Sequence, residues 1–136
     1  MTYIGVDPGN KNCGYCEMGP DGFVAYTGTS DDVCVQIWST GLQRAAARGA
    51  FERYEPYAGS KKFAYQMGHL ACKLESFGLV GYSVREVREH FFGELTSKDE
   101  MHSLLLSEHY DLAVQCRTAH ELDALAVALC HKESIV

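Results

Sequence analysis

The chain has 136 residues, 46% of them hydrophobic and 22% charged, with a formal net charge of -6. That length and composition fit one globular domain with its own core and exclude a disordered or fibrous chain. No apolar run reaches the length of a membrane span, and the acidic balance counts mildly against a nucleic-acid partner.

The N-terminus lacks the basic, apolar, small-residue order of a secretory signal, so a cytoplasmic location is expected. The six cysteines are then expected as reduced thiols, mostly core filler.

In chain order, residues 2–7 read as a strand that ends in Asp7. Pro8 gives no N–H to a ladder and Gly9 tolerates positive φ, so the chain leaves the sheet there. Residues 12–18 are a second strand, Gly19-Pro20-Asp21-Gly22 a hairpin turn, and residues 23–28 a third, all antiparallel. Ser30 caps a helix with Asp31 and Asp32 in its first turn. Val33, Ile37, Trp38 and Leu42 form its apolar face, and Gly49 is its expected terminator.

Residues 50–54, centred on Phe51, read as a fourth strand that pairs in parallel with the first and is stopped by Pro56. Ser60 opens a long helix with Phe63, Met67, Leu70, Leu74 and Phe77 on one stripe, closed by Gly78. Residues 79–84 are a fifth strand, and residues 85–96 show no clear period. Ser97 caps a helix with Met101, Leu104 and Leu105 inward. Residues 118–131 form the last helix, with a capping box from Thr118 and Glu121 and a stripe of Leu122, Leu125, Ala126 and Leu129. The order predicts an α/β fold: a mixed sheet with helices on its faces, in a single domain.

Asp7 raises the chemical question. A carboxylate at the end of a buried strand is costly as an ion unless a positive group meets it, and a metal ion is one such partner. His120 and Asp123, three apart, project from one side of the last helix's first turn, beside its apolar stripe. Acids there also favour the helix's positive end without any further role. Glu52 sits on the strand placed beside the first, within reach of Asp7. Glu55, three residues on, points to the other face of a regular strand and competes with it.

Ile4-Gly5-Val6-Asp7-Pro8-Gly9 followed by Cys13-Gly14-Tyr15 resembles the opening of RuvC-like Holliday junction resolvases. His120-Glu121-Leu122-Asp123-Ala124-Leu125-Ala126 resembles the family's ending. Phe51-Glu52-Arg53-Tyr54 resembles its middle motif, especially in phage-type members. Gly68 matches a family glycine, and Lys98 resembles the family's lysine before the penultimate helix. The resemblance implies an RNase H-like fold, with three antiparallel strands and then two parallel ones flanked by helices. It implies a homodimeric endonuclease that resolves four-way DNA junctions, in a bacterial cell or encoded by a phage. Asp7, Glu52 and Asp123 would hold two Mg²⁺ or Mn²⁺ ions roughly 4 Å apart. His120 would ligate or shuttle a proton.

Lys11, Arg53, Lys61 and Lys62, with Lys98 and the ring of Tyr54, are candidate DNA contacts, although solvated surface bases are the commoner case. The pair Cys13 and Cys16 has a metal half-site spacing but faces opposite ways on a strand, so it is not expected to chelate. His69, His90, His102, His109 and His131 show no metal-ligand pattern. The rivals are a YqgF-like RNA-processing nuclease, an actin-like ATPase, for which the chain is too short, and a non-catalytic nucleic-acid-binding module.

Overall fold

The computed structural model describes residues 1–9, 11–20, 22–40, 47–53, 61–94 and 96–134. Five strands form one sheet: β1 (Thr2–Asp7), β2 (Cys13–Gly19), β3 (Gly22–Gly28), β4 (Ala47–Glu52) and β5 (Val80–Tyr82). Their order across the sheet is β3-β2-β1-β4-β5. β1, β2 and β3 are antiparallel neighbours, and β4 and β5 extend the sheet in parallel from β1. This is the mixed sheet expected from the sequence.

Alternation along β1 decides which residue faces which layer. Ile4 and Val6 point to one face, into a core with α1 (Ser30–Ser39) and α2 (Lys61–Ser76). Tyr3, Gly5 and Asp7 point to the other. There α3 (Val84–Phe92), α4 (Lys98–Glu108), α5 (Tyr110–Ala113) and α6 (Ala119–Ser134) lie. Cys13 and Cys16 fall into these two different cores, as their spacing requires. All six thiols are free.

Several boundaries differ from the sequence reading. α1 is capped by Thr29, not Ser30: Asp32 N–H donates to the Thr29 hydroxyl while the Asp32 carboxylate accepts from Thr29 N–H. α1 ends at Ser39, and Gly49 is a buried residue of β4 rather than a helix terminator. β4 spans residues 47–52 because its register follows β1 from Thr2 onward. Trp38, expected on the inner face of α1, is 65% exposed, and Cys34 takes the buried position. Gly9 is not among the positive-φ glycines; a Cβ there would instead strike the Asn12 carbonyl, so it serves a close backbone approach. The unreadable stretch after β5 is α3, with a capping box between Ser83 and Glu86 and Gly93 in the left-handed conformation at its end. Leu42, Tyr54, Glu55, Tyr57 and Ser60 lie outside the described residues.

α6 is the central helix. Ala124 through Cys130 are all buried, so it is enclosed on nearly every side. Two glycines let it lie directly on the sheet. A Cβ on Gly5 would run into the carbonyl of Ala124, and one on Gly14 into the carbonyl of His120. The stripe Met67, Leu70 and Leu74 of α2 fills the opposite core within this same chain. No described helix is long and apolar enough to cross a membrane.

Candidate active site

The register of the sheet sets two carboxylates side by side. β1 and β4 pair as far as Val6 with Phe51, and the next residue on each strand is Asp7 and Glu52. Phe51 points into the α1–α2 core, so Glu52 points with Asp7 towards α6. Gly14, opposite Asp7 across β2, admits the first turn of α6. That turn brings His120 and Asp123 over the strand ends. Asp7 and Asp123 are 8% and 4% exposed.

Asp7 and Asp123 each have a defined partner. His120 Nδ1 lies 3.0 Å from Asp7 Oδ2. Lys98 Nζ lies 2.9 Å from Asp123 Oδ2, and His102 Nε2 lies 2.7 Å from Asp123 Oδ1. Glu121, one of the two residues between the site's α6 members, turns the other way. It accepts hydrogen bonds from Thr27 and Thr118 hydroxyls at 2.8 and 3.0 Å and from Arg117 N–H at 3.2 Å. It thereby ties the start of α6 to β3.

The carboxylates act on one another through poorly hydrated space. Burial pushes Asp7 up to about 6, and the charge of Asp123 adds to this; the His120 hydrogen bond and charge and the Lys98 charge oppose it. Burial pushes Glu52 up to about 8, helped by Asp7 and Asp123 and opposed by Arg88 and Lys98. Loss of hydration alone would lower Lys98, but its bond to Asp123 and the charges of Asp123, Asp7 and Glu52 outweigh it and hold the ammonium above its ordinary range.

Three hard carboxylate oxygen donors that repel one another suit a divalent cation of the Mg²⁺ or Mn²⁺ class, and that chemistry fits the set. Among the described residues no three such side chains already surround a common point. Asp7 and Asp123 are instead turned to Lys98 and the two histidines.

Asp7, Glu52, His120 and Asp123 are thus brought together, and Lys98 joins them as a partner of Asp123. Arg53 is turned away, paired with Glu86 at 2.8 Å. Lys11, Lys61 and Lys62 are exposed, and none of them is bonded to the site acids. Sequence reasoning passed over two residues. His102 stands four after Lys98, so helical spacing puts both on one side of α4. Arg88, in the stretch that showed no period, acts on Glu52 electrostatically and donates to the Thr96 carbonyl at 3.1 Å. Its Nε and the Thr96 hydroxyl are buried and have no hydrogen-bond partner among the described residues. The other described histidines have structural bonds or none near the site: His131 meets the Tyr82 hydroxyl at 2.9 Å and His90 meets Glu133 at 2.7 Å.

No family model and no curated protein matches the chain. Solved structures do. A Thermus thermophilus RuvC structure is 18% identical with a TM-score of 0.68, and the match covers 97% of this chain and 93% of that one. T. thermophilus RuvC in complex with Holliday junction substrate is also 18% identical, with a TM-score of 0.73 and coverage of 99% and 94%. At that identity the likeness speaks for the fold, which is RNase H-like with a mixed five-stranded sheet.

Proposed function

We propose that this chain is a homodimeric, divalent-cation-dependent endonuclease that resolves four-way DNA junctions. The observation that carries the reading is the convergence of Asp7, Glu52 and Asp123, from the start, middle and end of the chain, into one mutually repelling set of carboxylates. It is supported by a fold shared, over nearly the full length of both chains, with a protein described in complex with a Holliday junction.

Asp7, Glu52 and Asp123 would hold the cations, with His120 beside them. When bound, divalent cations supply charge neutralisation at a phosphodiester and a water acidic enough to attack it. His120, 44% exposed and fixed by Asp7, is placed to carry a proton at its free Nε2. The charge of Arg88 offsets part of the repulsion among the acids at Glu52. The net charge of -6 is less of an obstacle on this reading, because bound cations offset the clustered acids.

The test is incubation of the purified protein with a synthetic four-way junction, an RNA–DNA hybrid and a structured RNA, each with and without Mg²⁺. Paired symmetric nicks in the junction alone are expected. Cleavage of only the RNA-containing substrates would replace the reading with an RNA-processing one.

A further inference from the structure

α4 reaches the site with two side chains, and both end on the same carboxylate. Lys98 Nζ takes Oδ2 of Asp123 at 2.9 Å, and His102 Nε2 takes Oδ1 at 2.7 Å. To bond a carboxylate, His102 must carry its proton on Nε2. Their anchorage differs. The His102 side chain is 15% exposed, next to Met101, which is buried in the core beneath α4. The Lys98 side chain is 48% exposed, with a flexible four-carbon stem at the helix's first residue.

Three clustered carboxylates, Asp7 and Asp123 buried and Glu52 half-buried, are costly with no counter-charge. Lys98 supplies one positive charge that acts on all three. A doubly charged ion supplies more and binds through the same oxygens, so the two compete. His102 does not compete, because it occupies the other oxygen and leaves Oδ2 to be exchanged. Partners of this kind, one step behind a ligand, fix its orientation.

Building on the cation-binding reading above, we propose that α4 holds Asp123 by a divided grip, in which His102 is a positioning residue that keeps Oδ1 fixed and Lys98 is a resident counter-ion that a divalent cation displaces from Oδ2.

The experiment measures the melting temperature of the full chain against Mg²⁺ concentration at pH 8.5, for the wild type and four variants; tighter binding appears as a lower half-saturating concentration. Lys98→Gln is expected to melt lower without Mg²⁺ but to bind it roughly three- to fivefold more tightly, the scale of a part-exposed ion pair. Lys98→Arg keeps the charge, grips with a fork, and is expected to raise the half-saturating concentration. It also serves as the readout if Lys98→Gln does not fold without Mg²⁺. His102→Ala is expected to weaken binding about tenfold, and His102→Gln, whose amide N–H can reach Oδ1, to recover most of that. Unchanged or weaker binding in Lys98→Gln, unchanged or tighter binding in Lys98→Arg, or wild-type binding in His102→Ala overturns the divided grip alone. A wild type whose melting temperature ignores Mg²⁺ overturns the cation-binding reading together with it.

Discussion

Gly14 lies so close to the carbonyl of His120 that no side chain fits between them. The same glycine is paired with Asp7 across the sheet. One missing Cβ therefore sets the height at which α6 delivers His120 over Asp7. Gly14→Ala is expected to cost about 1–3 kcal/mol of stability through overpacking. It is also expected to lower junction cleavage about a hundredfold, since a displacement on the order of 1 Å misaligns the reacting groups. Gly68 is the contrast. A Cβ there meets nothing within 4 Å and its backbone is not left-handed, so Gly68→Ala is expected to gain about 0.5–1 kcal/mol. Urea denaturation and a junction-cleavage time course on both variants check this.

Asp7→Asn keeps the shape of the side chain and the bond to His120 but removes a charge from the acid set. Junction binding, measured by gel shift, should survive. Mg²⁺-dependent cleavage should fall by at least about a hundredfold, the scale seen when one charge-stabilising group is lost. Cleavage at the normal rate would mean that the site is misassigned.

The raised carboxyls predict how stability changes with pH in the metal-free protein. Asp7 and Glu52 bind their protons more tightly folded, at about 6 and about 8, than at their ordinary values of 3.8 and 4.5. Between those limits the native state holds more protons than the unfolded one, so stability falls as pH rises through the window. Glu52→Gln removes its share. The variant should match the wild type near pH 4.5 and melt higher above pH 8, by about 3–5 °C per kcal/mol for a chain of this size. Melting curves from pH 4 to 9 in a chelator check the sign. A wild type that gains stability across that range contradicts it.

Glu121 accepts from two hydroxyls and a backbone N–H at the junction of α6 and β3. Glu121→Ala leaves the Arg117 N–H without its acceptor and the Thr27 and Thr118 hydroxyls with only each other as acceptors, beside the edge strand β3. The expected cost is about 2–3 kcal/mol, read as a lower urea midpoint with an unchanged slope.

The sheet and its helices were readable where period and turn chemistry agreed, as in β1 to β3 and in the stripe of α2. Asp7, Glu52, His120 and Asp123 could be grouped from the sequence because a strand-end acid needs a partner and the motifs come in order, and the structure brings the four together. What escaped had specific causes. α3 reads weakly because Val87 is its one fully buried residue, and only the Ser83–Glu86 box announces it. Gly49 looked like a helix stop because glycine ends helices more often than it lies in strands, but here it faces Leu79 and Ile4 inside the sheet. His102 was passed over because its partner is 21 residues away, beyond any local pattern. Gly5 and Gly14 could be recognised as seats for α6 only once the helix was placed on them.

Because α6 is enclosed on almost all sides, its backbone amides have no local route to solvent. Hydrogen exchange from Ala124 to Cys130 is then expected to require the sheet to open, at close to the full cost of global unfolding. On the proposed reading, the helix segment that seats Asp123 is thereby as long-lived as the native state itself.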